Sequence, residues 1–204
     1  PHDDQLEWEQ DGQYFHYLSK WMHALSRVTQ VTGDQRYNRW AIELAKTAHT
    51  KFSYRLQGHM EKRMYWKMSI DLSHPLVSSM GQHDALDAFI TYQELAAIAA
   101  GDPERSEDTD LSAEIADALS MCRNIHWMTN DPLGIGGLLS DAYRLTQLII
   151  HSSLEGEDML LKLLHTMKEG LDAFLNTNSL SHPAEYRLAF RELGPVSYTH
   201  LTLP

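Results

Sequence analysis

Hydrophobic positions along most of this chain recur at helical intervals. From Asp11 to Phe52 the first run places Tyr14, Tyr17, Leu18, Trp21, Met22, Leu25, Val28 and Val31 three or four residues apart, on one broad helix face. Thr32-Gly33-Asp34 interrupts the pattern. Gly33 suits the left-handed residue that ends a helix, and Asp34 can accept from the free N–H groups opening the next. Tyr37, Trp40, Ala41, Leu44, Ala45, Ala48 and Phe52 form the stripe of that next helix. The pattern predicts an antiparallel helical hairpin over 13–32 and 35–53.

The same grammar predicts further pairs over 83–100 with 111–128 and over 137–151 with 157–176, and a last pair opening at Pro183. Thr129-Asn130-Asp131-Pro132 reads as the stop of the fourth helix. Leu133 to Gly137 reads as a glycine-rich approach of backbone to a neighbour. No strand pattern precedes those glycines and no Gly-Lys-Ser/Thr follows, which argues against a nucleotide cradle. Between the first two pairs runs a long connection, 53–82. Its segment RMYWKMSID, 63–71, carries β-type residues in rough alternation and predicts a short strand or extended finger. Connections of this length build something, often a binding surface. The pairs start near residues 13, 83, 136 and 183, a period of about fifty residues after the first connection. The fold class is therefore all-α, built from consecutive helical hairpins, and no sustained heptad supports a coiled coil.

Composition narrows the picture further. The net charge is −11 and there is no basic stripe, which argues against nucleic acid as a partner. No apolar run is long enough to span a membrane. A single cysteine, Cys122, excludes an internal disulfide and a multi-cysteine zinc site, and it sits where a small core residue belongs. Cytoplasm is the default compartment, and no cofactor motif is read. The segment Val196 to Pro204 back-translates to a transposon-end adapter of the kind that tags sequencing libraries. Residues 195–204 are accordingly read as translated adapter, outside the fold, and 1–194 as an incomplete domain.

Candidate chemistry gathers at helix starts. Gln13, His16, Tyr17, Lys20, Trp21 and His23 mix rings with hydrogen-bonding groups where a plain core helix would carry Leu and Ala. Aromatic faces edged by polar groups suit sugars, whose C–H faces stack on rings while their hydroxyls are bonded. Packing alone also accounts for any one of these rings. His16 and His23 are seven residues apart, His49 and His59 lie in different elements, and no HExxH is present, so a metal site is the weaker reading.

In DGQYFHYLSKWMHAL, the TGDxxY turn, MYWKMSIDL and MGQHDALDAF, the chain resembles the six-hairpin glycosidase superfamily, as architecture over residues 11–194. The TGDxxY turn is common to αα-toroids and speaks to fold alone. The other three segments resemble a bacterial and fungal branch from which no residue's role is carried over. The resemblance implies a partial (α/α)6 toroid whose substrate cleft lies at one end, lined by connections between hairpins and by the first turns of inner helices. It implies a small carbohydrate as substrate. Up-down topology sends every inter-hairpin connection to that same end. The cleft is thus expected to draw on Glu7, Glu9 and Asp11, on Tyr65, Trp66, Lys67 and Asp71, on His83, Asp84 and Asp87, and on Asn130 and Asp131. Gln13, Tyr17, Trp66, Lys67, His83, Asp84 and Asp87 are expected around one concavity, with His16 and Lys20 beside them as substrate-binding groups.

Glycoside hydrolysis needs one carboxylic acid to protonate the leaving oxygen and a second carboxylate to activate water or attack. Asp11, Asp71, Asp84 and Asp87 are the candidates. Capping accounts equally for Asp11 and Asp84, and solvation for Asp87. N-acylglucosamine 2-epimerases are similar toroids, and proton transfer beside a carbonyl would use two imidazoles, for which His16 and His83 are the candidates. A non-catalytic glycan- or protein-binding toroid predicts the same aromatic cleft without a carboxylate or imidazole pair.

Overall fold

A computed structural model describes residues 12–55, 61–79, 81–123, 125–152, 154–177 and 181–183. The chain divides into two compact units, Pro1–Ile125 and His126–Pro204. The protein is all-α: the described residues form six α-helices, with only two- and three-residue strands between them. None of these helices is long and apolar enough to cross a membrane. The expected adapter segment 195–204, the hairpin opening at Pro183 and the acidic run holding Glu7, Glu9 and Asp11 lie outside the described residues, Pro183 itself excepted.

The first unit begins with strand β1 (Gln13–Tyr14) and helix α1 (Phe15–Thr32), followed by α2 (Gln35–Phe52). Gly33 closes α1 at φ 76°, its N–H donating to the Thr29 carbonyl, and the Asp34 side chain accepts from the Arg36 N–H to open α2. Phe15, at the start of α1, meets Phe52, at the end of α2, edge-on with ring centroids 5.5 Å apart. That contact makes the pair antiparallel. Both rings are fully buried, each worth about 1.5–3 kcal/mol of hydrophobic stabilisation.

α1 turns out of its expected orientation. Tyr17, Trp21 and Val31 are 58%, 66% and 84% exposed, and the buried face is Phe15, Ser19, Met22, Ser26 and Thr29. A stripe of small hydroxyl residues can be buried because each hydroxyl finds an acceptor, for Ser26 and Thr29 a carbonyl of their own helix. Ser26 bonds His23 O at 2.8 Å and Thr29 bonds Leu25 O at 3.3 Å. Periodicity identified the residues that share a face, but not which face turns inward. On α2 likewise, Trp40 is exposed, while Asn38, Ile42 and His49 join the buried side.

After α2 the chain forms a β-ribbon. β2 (Ser53–Arg55) pairs antiparallel with β3 (Lys62–Met64), and β4 (Lys67–Met68) then pairs with β1, setting Tyr14 opposite Lys67. The expected finger is thus real, and it folds back onto the start of α1, where the Phe15 N–H donates to the Trp66 carbonyl at 3.1 Å.

Helix α3 (Asp84–Ala99) is the centre of this unit. Its first half is buried on every side, from Asp84 through Leu86, Phe89 and Ile90 to Tyr92, and Leu95 and Ala99 carry the buried face on to its end. α1, α2 and α4 (Ser112–Cys122) all pack against it. Ser19 meets Asp87 and His23 meets Glu94, so α1 and α3 run side by side in the same direction with their starts together. An ion pair locks the far end, where Arg39 Nε and Nη2 donate to Asp102 at 2.7 and 2.9 Å. That bidentate contact holds the Asp102 carboxyl below its usual range.

α4 stops at Cys122, short of the expected 128, and Cys122 is a buried free thiol. In the second unit, α5 (Pro132–Ser152) packs against α6 (Glu157–Asn176). α5 starts five residues earlier than expected. Pro132 occupies its first turn, where a missing N–H costs nothing, and the Asp131 carbonyl accepts from Ile135 N at 2.9 Å. The signal read as a stop is a start. Gly134, Gly136 and Gly137 are therefore helical, and a Cβ at Gly137 would meet open space rather than a neighbour. The tight approach is at Gly170 of α6, whose Cβ position lies 2.2 Å from the Thr129 carbonyl oxygen.

Candidate functional site

Three elements of the first unit bring side chains together at the common start of α1 and α3. α1 supplies His16, Tyr17, Ser19 and Lys20, with Tyr14 just before it. The segment around β4 supplies Trp66 and Lys67, and the first turn of α3 supplies Asp84 and Asp87. Parallel α1 and α3 share an end, and the antiparallel β1–β4 pair carries the finger across it, so this gathering follows from topology.

Tyr14 is the hub of the aromatic part. Its ring lies 5.6 Å from His16, 5.3 Å from Tyr17 and 5.4 Å from Trp66. His16 and Tyr17 are 4.3 Å apart. Buried Lys67 carries its Nζ over the Tyr14 ring, 5.0 Å from the centroid, a cation–π contact. The Trp66 indole N–H donates to Ser79 Oγ at 3.2 Å. The result is a continuous ring surface with a cation at one edge.

Beside it lie two buried carboxyl groups. Asp87 is 6% exposed. Lys20 Nζ donates to its two oxygens at 3.2 and 3.3 Å, Thr91 Oγ1 reaches Oδ1 at 3.5 Å, and the Ser19 hydroxyl is hydrogen-bonded to Oδ2. Ser19 Oγ also lies 2.9 Å from the His16 carbonyl. Its single proton goes to the charged acceptor, the stronger of the two. Asp84 is 8% exposed. Burial, and then the negative charge of Asp87, push its carboxyl up to about 7, against the opposing pull of Lys20. Asp84 is thus poised to hold or release a proton near neutrality. Burial also lowers the His16 imidazole, with Asp87 acting the other way and Lys20 adding to the drop, which favours a neutral ring.

Gly81 closes the wall between rings and carboxyl. A Cβ there would lie 1.8 Å from Asp84 Oδ2 and 2.9 Å from Trp66 Cβ, so Trp66 and the Asp84 carboxyl flank one point of backbone. Only a residue without a side chain leaves both in place.

Other expected site residues fall differently. Gln13 is half-buried in the β1–β4 pair opposite Met68. His83 precedes α3, and its carbonyl accepts from the N–H groups of Leu86 and Asp87. Asp71 is held in a local turn, its carboxyl lowered to about 2 by the Ser69 hydroxyl and then by Ser73. Neither capping nor solvation describes Asp84 and Asp87, since both are buried on the first turn of α3. Asp11 lies outside the described residues, and Asn130 and Asp131 belong to the second unit. Three participants are not among the expected site residues: Tyr14, Ser19 and Gly81.

Compared with family models, characterised proteins and solved structures, the chain has no match in any of the three.

Proposed function

We propose that this chain is the hairpin-bearing part of a carbohydrate-active toroid of the six-hairpin glycosidase type, and that it cleaves glycosides with Asp84 as proton donor. The observation that carries this reading is the juxtaposition of two buried carboxyls of unlike environment with a wall of rings. Asp87 is saturated by Lys20, Ser19 and Thr91, whereas no donor from a described residue reaches the carboxyl of Asp84. Carboxyl pairs whose surroundings push their proton affinities apart divide the work of acid catalysis. Asp84 would protonate the glycosidic oxygen, and the fixed charge of Asp87 would favour the positive charge that develops on the sugar ring. Tyr14, Tyr17 and Trp66 offer stacking faces for that ring, and Lys20 a donor to its hydroxyls.

One observation favours a second reading, a sugar epimerase or isomerase. His16 stands in the same cluster with its imidazole lowered by burial, as a base beside a carbonyl substrate requires. The pH dependence of turnover separates the two. Incubated with a panel of nitrophenyl glycosides and free aldoses, the protein is expected to release nitrophenol, with activity falling as pH rises through about 7 because the working form of Asp84 is protonated. Aldose interconversion that rises through the same pH would instead assign a base. Turnover of neither class would leave a glycan-binding surface.

A further inference from the structure

A polar cavity of about 400 Å³ lies on a different part of the first unit from Asp84. It is lined by His49 near the end of α2, Ser53, Tyr54 and Arg55 on β2, Lys62 on β3, and Glu114 and Asp117 at the start of α4. His49 is 6% exposed. Its Nε2 lies 3.3 Å from Asp117 Oδ2, and Asp117 is also bonded by the Lys62 ammonium. A carboxylate only accepts, so Nε2 carries the proton, and the neutral ring leaves Nδ1 as a bare acceptor. Burial lowers the His49 imidazole against the pull of Asp117, which keeps the ring neutral.

What distinguishes this cavity is its unmet hydrogen bonds. Among the described residues, His49 Nδ1, Ser53 Oγ and Glu114 Oε2 are buried polar atoms without a partner, and so is the hydroxyl of Tyr92, whose ring packs edge-on against His49. Buried polar groups are rarely left unmet, and three on residues that line one cavity call for a partner there. Arg55 adds a guanidinium, for which no described residue supplies a carboxylate.

From this constellation we infer that the cavity is a binding site for a small hydroxylated carboxylate, of the sugar-acid class. Nδ1 of His49 and Oε2 of Glu114 are acceptors and call for hydrogen-bond donors on the ligand. The Ser53 hydroxyl both donates and accepts, a demand that ligand hydroxyls meet and an ammonium group does not. Arg55 supplies the planar fork that matches a carboxylate. The volume, at the lower end of small-molecule sites, suits a single sugar unit. Nothing in this assignment depends on Asp84, which shares no residue with the cavity.

Titration calorimetry with glucuronate, glucose and glutamate tests it. Glucuronate is expected to bind, with glucose and glutamate each weaker by about tenfold or more, since the first lacks the carboxylate and the second the hydroxyls. Arg55→Ala should weaken glucuronate by a similar factor, and Glu114→Gln should weaken it without loss of helical circular dichroism. Asp84→Asn should leave it unchanged. Nitrogen-edited NMR adds an independent readout, because glucuronate should shift the His49 ring resonances. Absence of glucuronate binding, equal binding by Arg55→Ala, or loss on Asp84→Asn would overturn the assignment.

Discussion

Asp84→Asn is expected to lower turnover of the best glycoside by two to four orders of magnitude while leaving the far-ultraviolet circular dichroism unchanged. The magnitude is what a positioned general acid contributes, about 10²–10⁴-fold. Asparagine has the same shape and fits the same space beside Gly81, so the loss would come from the proton and not from packing. Stability supplies a second sign. Because the folded carboxyl binds its proton up to about pH 7 and the unfolded one releases it near pH 4, the wild-type protein loses stability as pH rises across that window. The variant has no charge to bury there. Its stability relative to wild type should therefore increase from pH 4 to pH 8, measured by urea denaturation. A variant that is both inactive and less stable at pH 8 would point to a structural role.

The second large effect concerns the second unit. Gly170→Ala places a methyl group 2.2 Å from the Thr129 carbonyl oxygen, too close for any rotamer change to relieve, because both atoms belong to backbone-fixed positions. α6 or the segment before α5 must shift, and overpacking of this kind costs about 1–3 kcal/mol. Alanine's better helix propensity offsets up to about 1 kcal/mol of that. Gly137→Ala is the matched comparison, since the same change in α5 meets open space and should stabilise by that propensity alone. Thermal melts should therefore move in opposite directions, with roughly 2–4 °C for each kcal/mol in a chain of this length. Two shifts of the same sign would contradict the packing described around Thr129.

Much of the fold was legible in the sequence, because helical periodicity and punctuation are local. Gly33 and Asp34 end and open helices as their chemistry requires, and the β-type run around Met64 to Met68 does form the finger. Pro132 misled because proline both stops a helix and starts one, and only the hydrogen bond of Asp131 decides. The inward face of α1 was not legible, since Ser19, Ser26 and Thr29 look like surface residues until their hydroxyls are seen bonded, Ser26 and Thr29 to helix carbonyls and Ser19 to Asp87. The same limit applied to the centre of the fold. The opening hairpin has the stronger amphipathic pattern, yet α3, whose polar residues Asp84, Asp87 and Thr91 are themselves buried, is the helix against which α1, α2 and α4 pack.

For the candidate site, topology did what local pattern could not. Shared helix starts placed Tyr17, Trp66, Lys67, Asp84 and Asp87 at one end, and the structure brings them there together with His16 and Lys20. Which carboxyl would be proton-rich was not in the sequence, because it depends on Gly81 admitting Asp84 to a buried position and on Lys20 choosing Asp87. The polar cavity left a fainter trace. His49 with Ser53 and Glu114 with Asp117 are polar pairs at intervals of four and three, the first straddling the end of α2 and the second on one face of α4, but nothing local says that the two pairs meet.

The proposal that Asp84 is the proton donor rests on its carboxyl holding a proton near neutrality, and carbon-13 NMR of the aspartate side chains measures that directly. The carboxyl resonance that disappears in Asp84→Asn should titrate at about 7 in the wild-type protein, and should move downward in Asp87→Asn as the neighbouring charge is removed. Titration near pH 4, unaffected by Asp87→Asn, would contradict the account.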